Sequence, residues 1–403
     1  MRNLRPGVFS LFTRPWIAIA TVSLILGLSV SASPAGGQRV VPFENPQSSP
    51  IPGCTMYASG SAYHLVCVPA TWNGSLVVYA HGYVSPVEPN PPFFPDETAV
   101  VAQAVMPFGF AFAATSYPDF GLVIPGAVTD LVSLANEFKV QFPQTRNVFL
   151  AGFSEGGLIT TKAVEQYPQV FSGGLACCGP VGDFRKQVNH FGDFFVVFNY
   201  YFPNVFEGKA NPGNVAPEVI AGWETIYVPR VHAAIADTRK TSQLLRVTQA
   251  SVDPGNPASV EQTILDVLWY DIFATNDAID KLGGQPFDNS LRWYTGSFND
   301  WALNRGVERF RADQAALQSI QAFYQTTGRL KRPLVTMHTT ADPVVPYWHE
   351  PLYSLKTLLS GSFLLHTNIP ILRYGHCTFE TNELLGGFAL LILKVTGQNL
   401  LSR

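Results

Sequence analysis

Ser154, Asp342 and His376 are the residues whose types could act together as a hydrolytic centre, and each sits in a stretch that suits such a task. A serine hydroxyl is a poor nucleophile until a base removes its proton; a histidine can be that base, and a carboxylate can hold the imidazole in the accepting tautomer. Ser154 lies in Gly152-Phe153-Ser154-Glu155-Gly156, between the apolar run beginning at Asn147 and a helical pattern, which fits a tight strand-to-helix turn that projects the hydroxyl. Glycines stand two residues to either side because backbone segments crowd together in such a turn and a Cβ would clash. The start of a helix also offers free N–H groups and a partial positive charge to a developing anion. Backbone N–H groups of Glu155 and of Tyr83, with Gly82 as a further donor, are the expected oxyanion contacts, since His81-Gly82-Tyr83 follows the strand-like run SLVVYA.

Other ionisable residues are weighed against these. Asp183, in GPVGDF after another strand-like run, is the rival to Asp342, which the DPVVP turn and its spacing to His376 favour. Asp119 reads as a surface-loop carboxylate and His81 as a residue that shapes its loop. His349-Glu350 begins like a metalloprotease helix, but Tyr353 stands where the second histidine belongs, so both are read as surface residues and no metal site is expected. No cofactor is expected either.

The elements that must position these side chains follow from periodicity. Strand-like runs recur at Ala62–Val68, Ser75–Ala80, Phe110–Tyr117, Asn147–Phe153 and Gly174–Cys178, and the later ones are separated by helical patterns at Val128–Phe142 and Glu155–Tyr167. Strand and helix alternating implies a parallel sheet covered on both faces. From residue 183 to 326 the text turns aromatic, polar and helical; it resumes with LVTMHTTAD, a helix near Tyr347–Leu359, a strand around Phe363–Leu372 and a helix near Asn382–Val395.

The chain order Ser, Asp, His, each at the end of a strand-like run, together with HGY, GFSEGG, ADPVVP and YGHC, resembles the α/β-hydrolase superfamily over residues 54–182 and 327–398. That resemblance implies an α/β-hydrolase fold: a mostly parallel central sheet flanked by helices, with an inserted, mainly helical cap. The expected divisions are 1–32 signal peptide, 33–52 linker, 53–182 first part of the core, 183–326 cap and 327–403 second part of the core. G-x-S-x-G-G is also similar to prolyl-oligopeptidase-like and cap-bearing aminopeptidase families. Too few residues precede Ser154 for the propeller of the former, while the latter would need cap carboxylates such as Asp193, Glu207 or Glu224 to grip an ammonium. The leading expectation is a serine esterase for esters with an apolar or aromatic part, of small or polymeric substrates. A cap-bearing peptidase is the alternative, and a binding protein without catalysis a third class.

The five cysteines fit an exported chain. Cys54 and Cys67 flank two short runs joined around Gly60, which suggests a hairpin-clamping bridge, and Cys377 beside His376 could bridge to Cys178 or Cys177 at the catalytic edge. Tannase-like and feruloyl-esterase-like relatives place a disulfide beside the triad through a cysteine that precedes the serine; Phe153 holds that position here. In the insertion, Phe191 to Phe206 carries eight aromatics in sixteen residues, of which Phe194, Phe195, Tyr200 and Tyr201 are the expected lining of an apolar pocket over Ser154.

Composition excludes other classes. With 47% hydrophobic and 14% charged residues the chain can bury a large core, and a net charge of −3 without basic runs lacks the footprint of a nucleic-acid binder. Arg2, Arg5 and Arg14, an apolar run from Trp16 to Val30 and small residues after it read as a signal peptide, hence a secreted or periplasmic protein with no stable membrane span after cleavage. Loss of that leader removes three arginines and no acids, taking the charge from −3 to −6.

Overall fold

The computed structural model describes residues 49–87 and 94–398. The expected signal peptide and most of the expected linker lie outside the described residues.

Ten strands and thirteen α-helices form among the described residues. The first is the hairpin expected from the cysteine spacing: β1 (Cys54–Ser59) pairs antiparallel with β2 (Ala62–Cys67), and the Cys54–Cys67 disulfide ties their ends. β3 (Ser75–Ala80), β4 (Ala111–Thr115), β5 (Asn147–Phe153) and β6 (Gly173–Cys177) follow, with α1 (Glu97–Val105), α2 (Ile124–Gln141) and α3 (Glu155–Gln166) between them. After the insertion come β9 (Leu334–Ala341), α12 (His349–Leu359), β10 (His366–Tyr374) and α13 (Thr381–Thr396). These strands make one eight-stranded sheet in the order β1-β2-β4-β3-β5-β6-β9-β10, parallel throughout except for the pairings of β2 with β1 and with β4.

The apolar runs explain why the central strands are buried on both faces. Successive side chains of a strand point to opposite sides, so Leu76, Val78 and Ala80 of β3 face α2 and α3, while Val77 and Tyr79 face the layer that holds α1 and α13. α2 buries Ile124, Ala127, Val128, Leu131, Leu134, Ala135 and Phe138, the single stripe that a 3.6-residue repeat lays on one side of a helix. Each fully buried aliphatic or aromatic side chain contributes roughly 1.5–3 kcal/mol relative to exposure. α2 begins four residues before the periodicity expects, because Pro125 sits at the helix start, where its missing N–H costs nothing.

Between β6 and β9 the chain forms a mainly helical insertion: α4 (Phe184–Tyr201), a two-residue ribbon of β7 (Ala210–Asn211) and β8 (Asn214–Val215), then α5 (Pro217–Ala221), α6 (Val228–Ile235), α7 (Thr238–Thr248), α8 (Ser259–Phe273), α9 (Thr275–Leu282), α10 (Asp300–Gly306) and α11 (Gln314–Ser319). It has its own core, in which Phe194, Phe198, Trp223, Leu244 and Leu268 are buried. Among the described residues, no helix is long and apolar enough to cross a membrane.

Candidate active site

Ser154 sits where β5 ends and α3 begins, with φ 55° and ψ −123°. An L-residue enters that region only under constraint, and the constraint is visible on both sides. A Cβ on Gly152 would lie 2.2 Å from the carbonyl oxygen of Gly156, and one on Gly156 would lie 2.0 Å from that of Ala80. Two glycines therefore let the turn close and hold the Ser154 side chain above the sheet edge. Its own N–H donates to Cys177 O at 2.9 Å, tying the turn to β6.

Asp342 follows β9 directly, and His376 follows β10. Parallel neighbours end at the same edge of a sheet, so these two and Ser154 meet there. His376 Nδ1 lies 2.7 Å from Asp342 Oδ2 and Nε2 lies 2.9 Å from Ser154 Oγ. All three residues are buried, with Ser154 the most accessible at 8%. Asp342 Oδ1 accepts the N–H groups of Val344 and Val345, both at 2.9 Å, so the DPVVP turn fixes the carboxylate plane.

A second imidazole stands behind the carboxylate. His338 on β9 has Nε2 at 2.7 Å from Val345 O and 3.5 Å from Asp342 Oδ2, and Nδ1 at 3.2 Å from Glu350 Oε1. Burial disfavours its charge, but the hydrogen bonds to Asp342 and Glu350 outweigh that and lift it to about 10. Burial would raise Asp342, yet His376 and His338 hold it below the ordinary carboxylate value. The carboxylate is thus kept ionised without contact with water. Glu350 also accepts from Thr336 Oγ1 at 2.5 Å and from Asn368 Nδ2 at 2.7 Å.

That network corrects the reading of His349 and Glu350 as surface residues: they are 0% and 1% exposed. α12 presses its first turn against β9, and His349 Nδ1 accepts the Gly182 N–H at 3.0 Å while Nε2 donates to Gln187 Oε1 at 2.8 Å. Burial holds His349 neutral, well below the ordinary histidine value, as those partners require. Asp183, the rival carboxylate, is turned away from His376. It caps α4 by accepting the Lys186 N–H at 3.2 Å and accepts from Gln325 Nε2 at 2.8 Å. Asp119 is a surface residue, paired with Lys281 at 3.2 Å.

The oxyanion candidates surround the serine. Glu155 opens α3, where no intrahelical acceptor exists for its N–H. Gly82 packs so closely that a Cβ there would be 3.4 Å from Ser154 Cβ. The loop that carries it is fixed by His81, whose ring lies 4.0 Å from that of Tyr117 and whose Nδ1 is 2.7 Å from Gly82 O. Burial lowers His81 to about 4, so it stays neutral. Tyr83 donates its hydroxyl to Phe273 O at 3.1 Å and packs edge-on against Trp269, which joins this loop to α8.

Cys178 is bonded to Cys377, which fixes the residue after His376 to the end of β6. Cys177, the other candidate partner, is a buried free thiol that desolvation pushes well above its ordinary value. Both are fully buried in the same core, but Cys177 is still within β6, whereas Cys178 has left the strand with φ 47°. The ligand-type atoms of Cys178, His376 and Cys377 lie within 4.8 Å of one another, but the disulfide uses both sulfurs, leaving no thiolate for a metal.

The expected pocket residues require a correction. Phe194, Phe195, Tyr200 and Tyr201 pack in the core of the insertion with Phe206, Leu244 and Ile264 and do not line the cavity over Ser154. The residues of α4 that do are Phe184, Gln187, Val188 and Phe191, the preceding turns of the same stripe. α4 starts over the serine and climbs away by 1.5 Å per residue, so the aromatic-rich half lies beyond reach. Sequence reasoning also missed the role of α8. Tyr270 lines the cavity beside Ser154, and Asp266, raised by burial to about 7, lies within electrostatic reach of His376 and Asp342. Tyr270 and Asp266 are i and i−4 on α8, a spacing that marks one helix face but not its target.

Comparison with known proteins agrees with the region of the elbow. Residues 125–223, from α2 through Ser154 and α4, match the family described as serine aminopeptidase, S33. No curated protein matches the sequence. Among solved structures, feruloyl esterase B from Aspergillus oryzae is similar at 15% identity with a TM-score of 0.44, covering 86% of this chain and 82% of that one. An esterase of Pyrococcus furiosus is similar at 9% identity and 0.42, covering 84% and 86%. An acylaminoacyl peptidase in complex with Z-Gly-Gly-Phe-chloromethyl ketone is similar at 14% identity and 0.42, covering 88% of this chain but 41% of that one, so the chain spans less than half the peptidase's length. A mostly parallel eight-stranded sheet in this order, helices on both faces and a strand–serine–helix turn at its centre give the chain an α/β-hydrolase fold.

Proposed function

We propose that the protein is a serine hydrolase that cleaves carboxylic esters bearing an apolar or aromatic acyl part through an acyl-serine intermediate. The observation that supports this most is the continuous relay from Ser154 Oγ to His376 Nε2 at 2.9 Å and from His376 Nδ1 to Asp342 Oδ2 at 2.7 Å. His376 Nε2 takes the hydroxyl proton as Oγ attacks the ester carbonyl carbon. The carbonyl electrons move onto oxygen, where the N–H of Glu155 and that of Tyr83 or Gly82 receive the charge. Collapse expels the alcohol, protonated by His376, and leaves the acyl group on Ser154. Water then attacks with the same base, the acid departs and Ser154 recovers its proton. Asp342 holds Nδ1–H throughout and stabilises the imidazolium.

The cavity above Ser154 supports an apolar acyl group: Leu122, Phe184, Val188, Phe191, Val344 and Val345 line it. α4, α8 and α9 of the insertion supply part of its wall through Phe191, Tyr270 and Ala278. The match to serine aminopeptidases favours a second reading, a peptidase that acts on substrates with a free amino terminus. Of the cap carboxylates such a site would need, Asp193 is committed to Arg292 and to the hydroxyl of Tyr294. Export is part of the proposal, and the two disulfides favour an oxidising compartment. The test compares p-nitrophenyl esters with aminoacyl amides on wild type and Ser154→Ala. Ester turnover that falls by about 10⁶ in the variant is expected; equal rates would remove the proposal, and turnover of amides with a free amino terminus in preference to esters would favour the peptidase.

A further inference from the structure

Behind the triad, the protons around His338 can be assigned bond by bond. Its Nε2 lies 2.7 Å from Val345 O, a carbonyl that can only accept, so Nε2 carries a proton. Its Nδ1 lies 3.2 Å from Glu350 Oε1, and the proton in that second bond belongs to the nitrogen. Glu350 Oε2 already accepts the Asn368 amide at 2.7 Å and the Thr336 hydroxyl at 2.5 Å, and donors gathered on a carboxyl favour its ionised form. Asp342 Oδ2 places a second negative charge 3.5 Å from Nε2. His338 is therefore an imidazolium buried between two carboxylates.

The other ionisable groups packed around this pair are held neutral. Burial lowers His349 on α12, His366 on β10 and His190 on α4, and it raises the Cys177 thiol on β6. It also raises Tyr347, whose ring meets that of His338 edge-on at 5.9 Å, and Tyr270 and Tyr374 near Asp342. Asp266 on α8, raised by burial to about 7, is the remaining acid within electrostatic reach of Asp342. Asp342 Oδ2 is thus shared by two rings, 2.7 Å from His376 Nδ1 and 3.5 Å from His338 Nε2, which puts those nitrogens within about 6 Å of each other. A fixed positive charge there opposes protonation of His376, because two imidazolium rings would then flank one carboxylate.

We infer that His338 is a positioning residue that acts through Asp342: held as a cation by Glu350, it keeps His376 unprotonated in mildly acidic water and so extends the reactivity of Ser154 towards low pH. The inference rests on the catalytic role proposed for Ser154 and His376, whether the substrate is an ester or an amide. A unit charge about 6 Å away is worth about two pH units at the effective dielectric of roughly 20 that suits protein interiors, and Glu350 beyond the ring cancels about half of that. The sign is fixed by the geometry. Without the His338–Glu350 ion pair His376 takes up a proton more readily, so the acid limb of a pH–rate profile moves to higher pH.

The test follows the second-order rate of fluorophosphonate labelling of Ser154 in the full chain across the acid and neutral range, a readout that needs no knowledge of the substrate. The double variant His338→Gln/Glu350→Gln removes both charges while its amides still donate and accept. Its acid-limb midpoint is expected about one pH unit above that of wild type. Thr336→Val takes a hydrogen bond from Glu350 but no charge, and its midpoint is expected to stay at the wild-type value. An unmoved midpoint in the double variant overturns the inference, as does an equal shift in Thr336→Val, since the effect would then come from packing. Should the double variant fail to fold, wild type still decides through nitrogen-15 NMR of its histidines at about pH 8. Two doubly protonated rings are expected: His338, and His64, where Asp130 and Glu137 outweigh burial and lift it to about 9. Fewer than two overturns the inference. A wild type that Ser154 does not label at any pH removes the catalytic reading and this inference with it, whereas a labelled wild type with an unmoved midpoint in the variant removes the inference alone.

Discussion

Exchanging Asp342 for asparagine alters the hydrogen-bonding of a single atom and almost nothing of the shape, so its effect can be worked out from the contacts. Oδ1 accepts two backbone N–H groups at 2.9 Å, and Oδ2 accepts His376 Nδ1–H at 2.7 Å. Asparagine has one acceptor oxygen. If that oxygen keeps the Val344 and Val345 N–H groups, the amide NH₂ meets Nδ1, which must then accept. The imidazole proton moves to Nε2 and points at Ser154 Oγ, 2.9 Å away, where a base is needed. If the amide flips, its NH₂ faces two backbone donors, which costs two hydrogen bonds of about 1 kcal/mol each and leaves buried donors unpaired at roughly 1–3 kcal/mol apiece. The first arrangement therefore prevails, and it holds the wrong tautomer. Loss of the charge beside the imidazolium adds to the barrier. Wrong-tautomer triads lose about 10⁴ in kcat, equivalent to about 5.5 kcal/mol. Steady-state hydrolysis of a p-nitrophenyl ester, with circular dichroism to show that Asp342→Asn is folded, measures this. A folded variant with kcat within about tenfold of wild type would refute the reasoning.

Three further outcomes follow from the same contacts. Gly156→Ala places a Cβ 2.0 Å from Ala80 O and 2.7 Å from His81 O, both backbone, so the elbow cannot close; the variant is expected to be insoluble or unreactive towards fluorophosphonate, and normal labelling would contradict this. Cys178–Cys377 closes a span of 199 residues and Cys54–Cys67 one of 13, so chain entropy assigns them about 5 and about 3 kcal/mol; denaturant unfolding of the two double-serine variants should rank them in that order. Glu155 is raised by burial from 4.5 to about 8, so between those values the folded chain holds a proton that the unfolded chain has released. Stability must then fall as pH rises through that window. Glu155→Gln lacks this dependence, and its melting temperature relative to wild type should rise from pH 5 to pH 8; a constant difference would count against the buried acid.

The parts of the fold that sequence made legible are those fixed by local burial. β3 and β5 occupy the stretches expected of them, because their short apolar runs, bounded by turn residues, suit strands covered on both faces. α1 escaped notice: its run ETAVVAQAV is apolar on every side and follows a proline-rich stretch, so no periodicity marks it. The order of Ser154, Asp342 and His376 was readable because each follows its own strand run, and parallel pairing brings strand ends together. The cavity wall was not. Phe184, Gln187 and Phe191 and the more distal Phe194 and Phe195 share one helical stripe, and only the point at which α4 leaves the sheet decides which half faces Ser154. Tyr270 and Asp266 depend on the docking of α8, a contact between elements far apart in sequence. His349 and Glu350 misled because charged residues at a helix start usually face water, whereas here they satisfy Gly182, Gln187, Thr336 and His338 inside the fold.

The central claim is that Ser154 is an activated nucleophile whose reactivity depends on His376. Reaction of the purified protein with a fluorophosphonate, followed by mass spectrometry of the labelled peptide, tests it most directly. The account predicts one adduct, on Ser154, with a labelling rate that falls by orders of magnitude in His376→Ala. Labelling on another residue, or an unchanged rate in that variant, would contradict it.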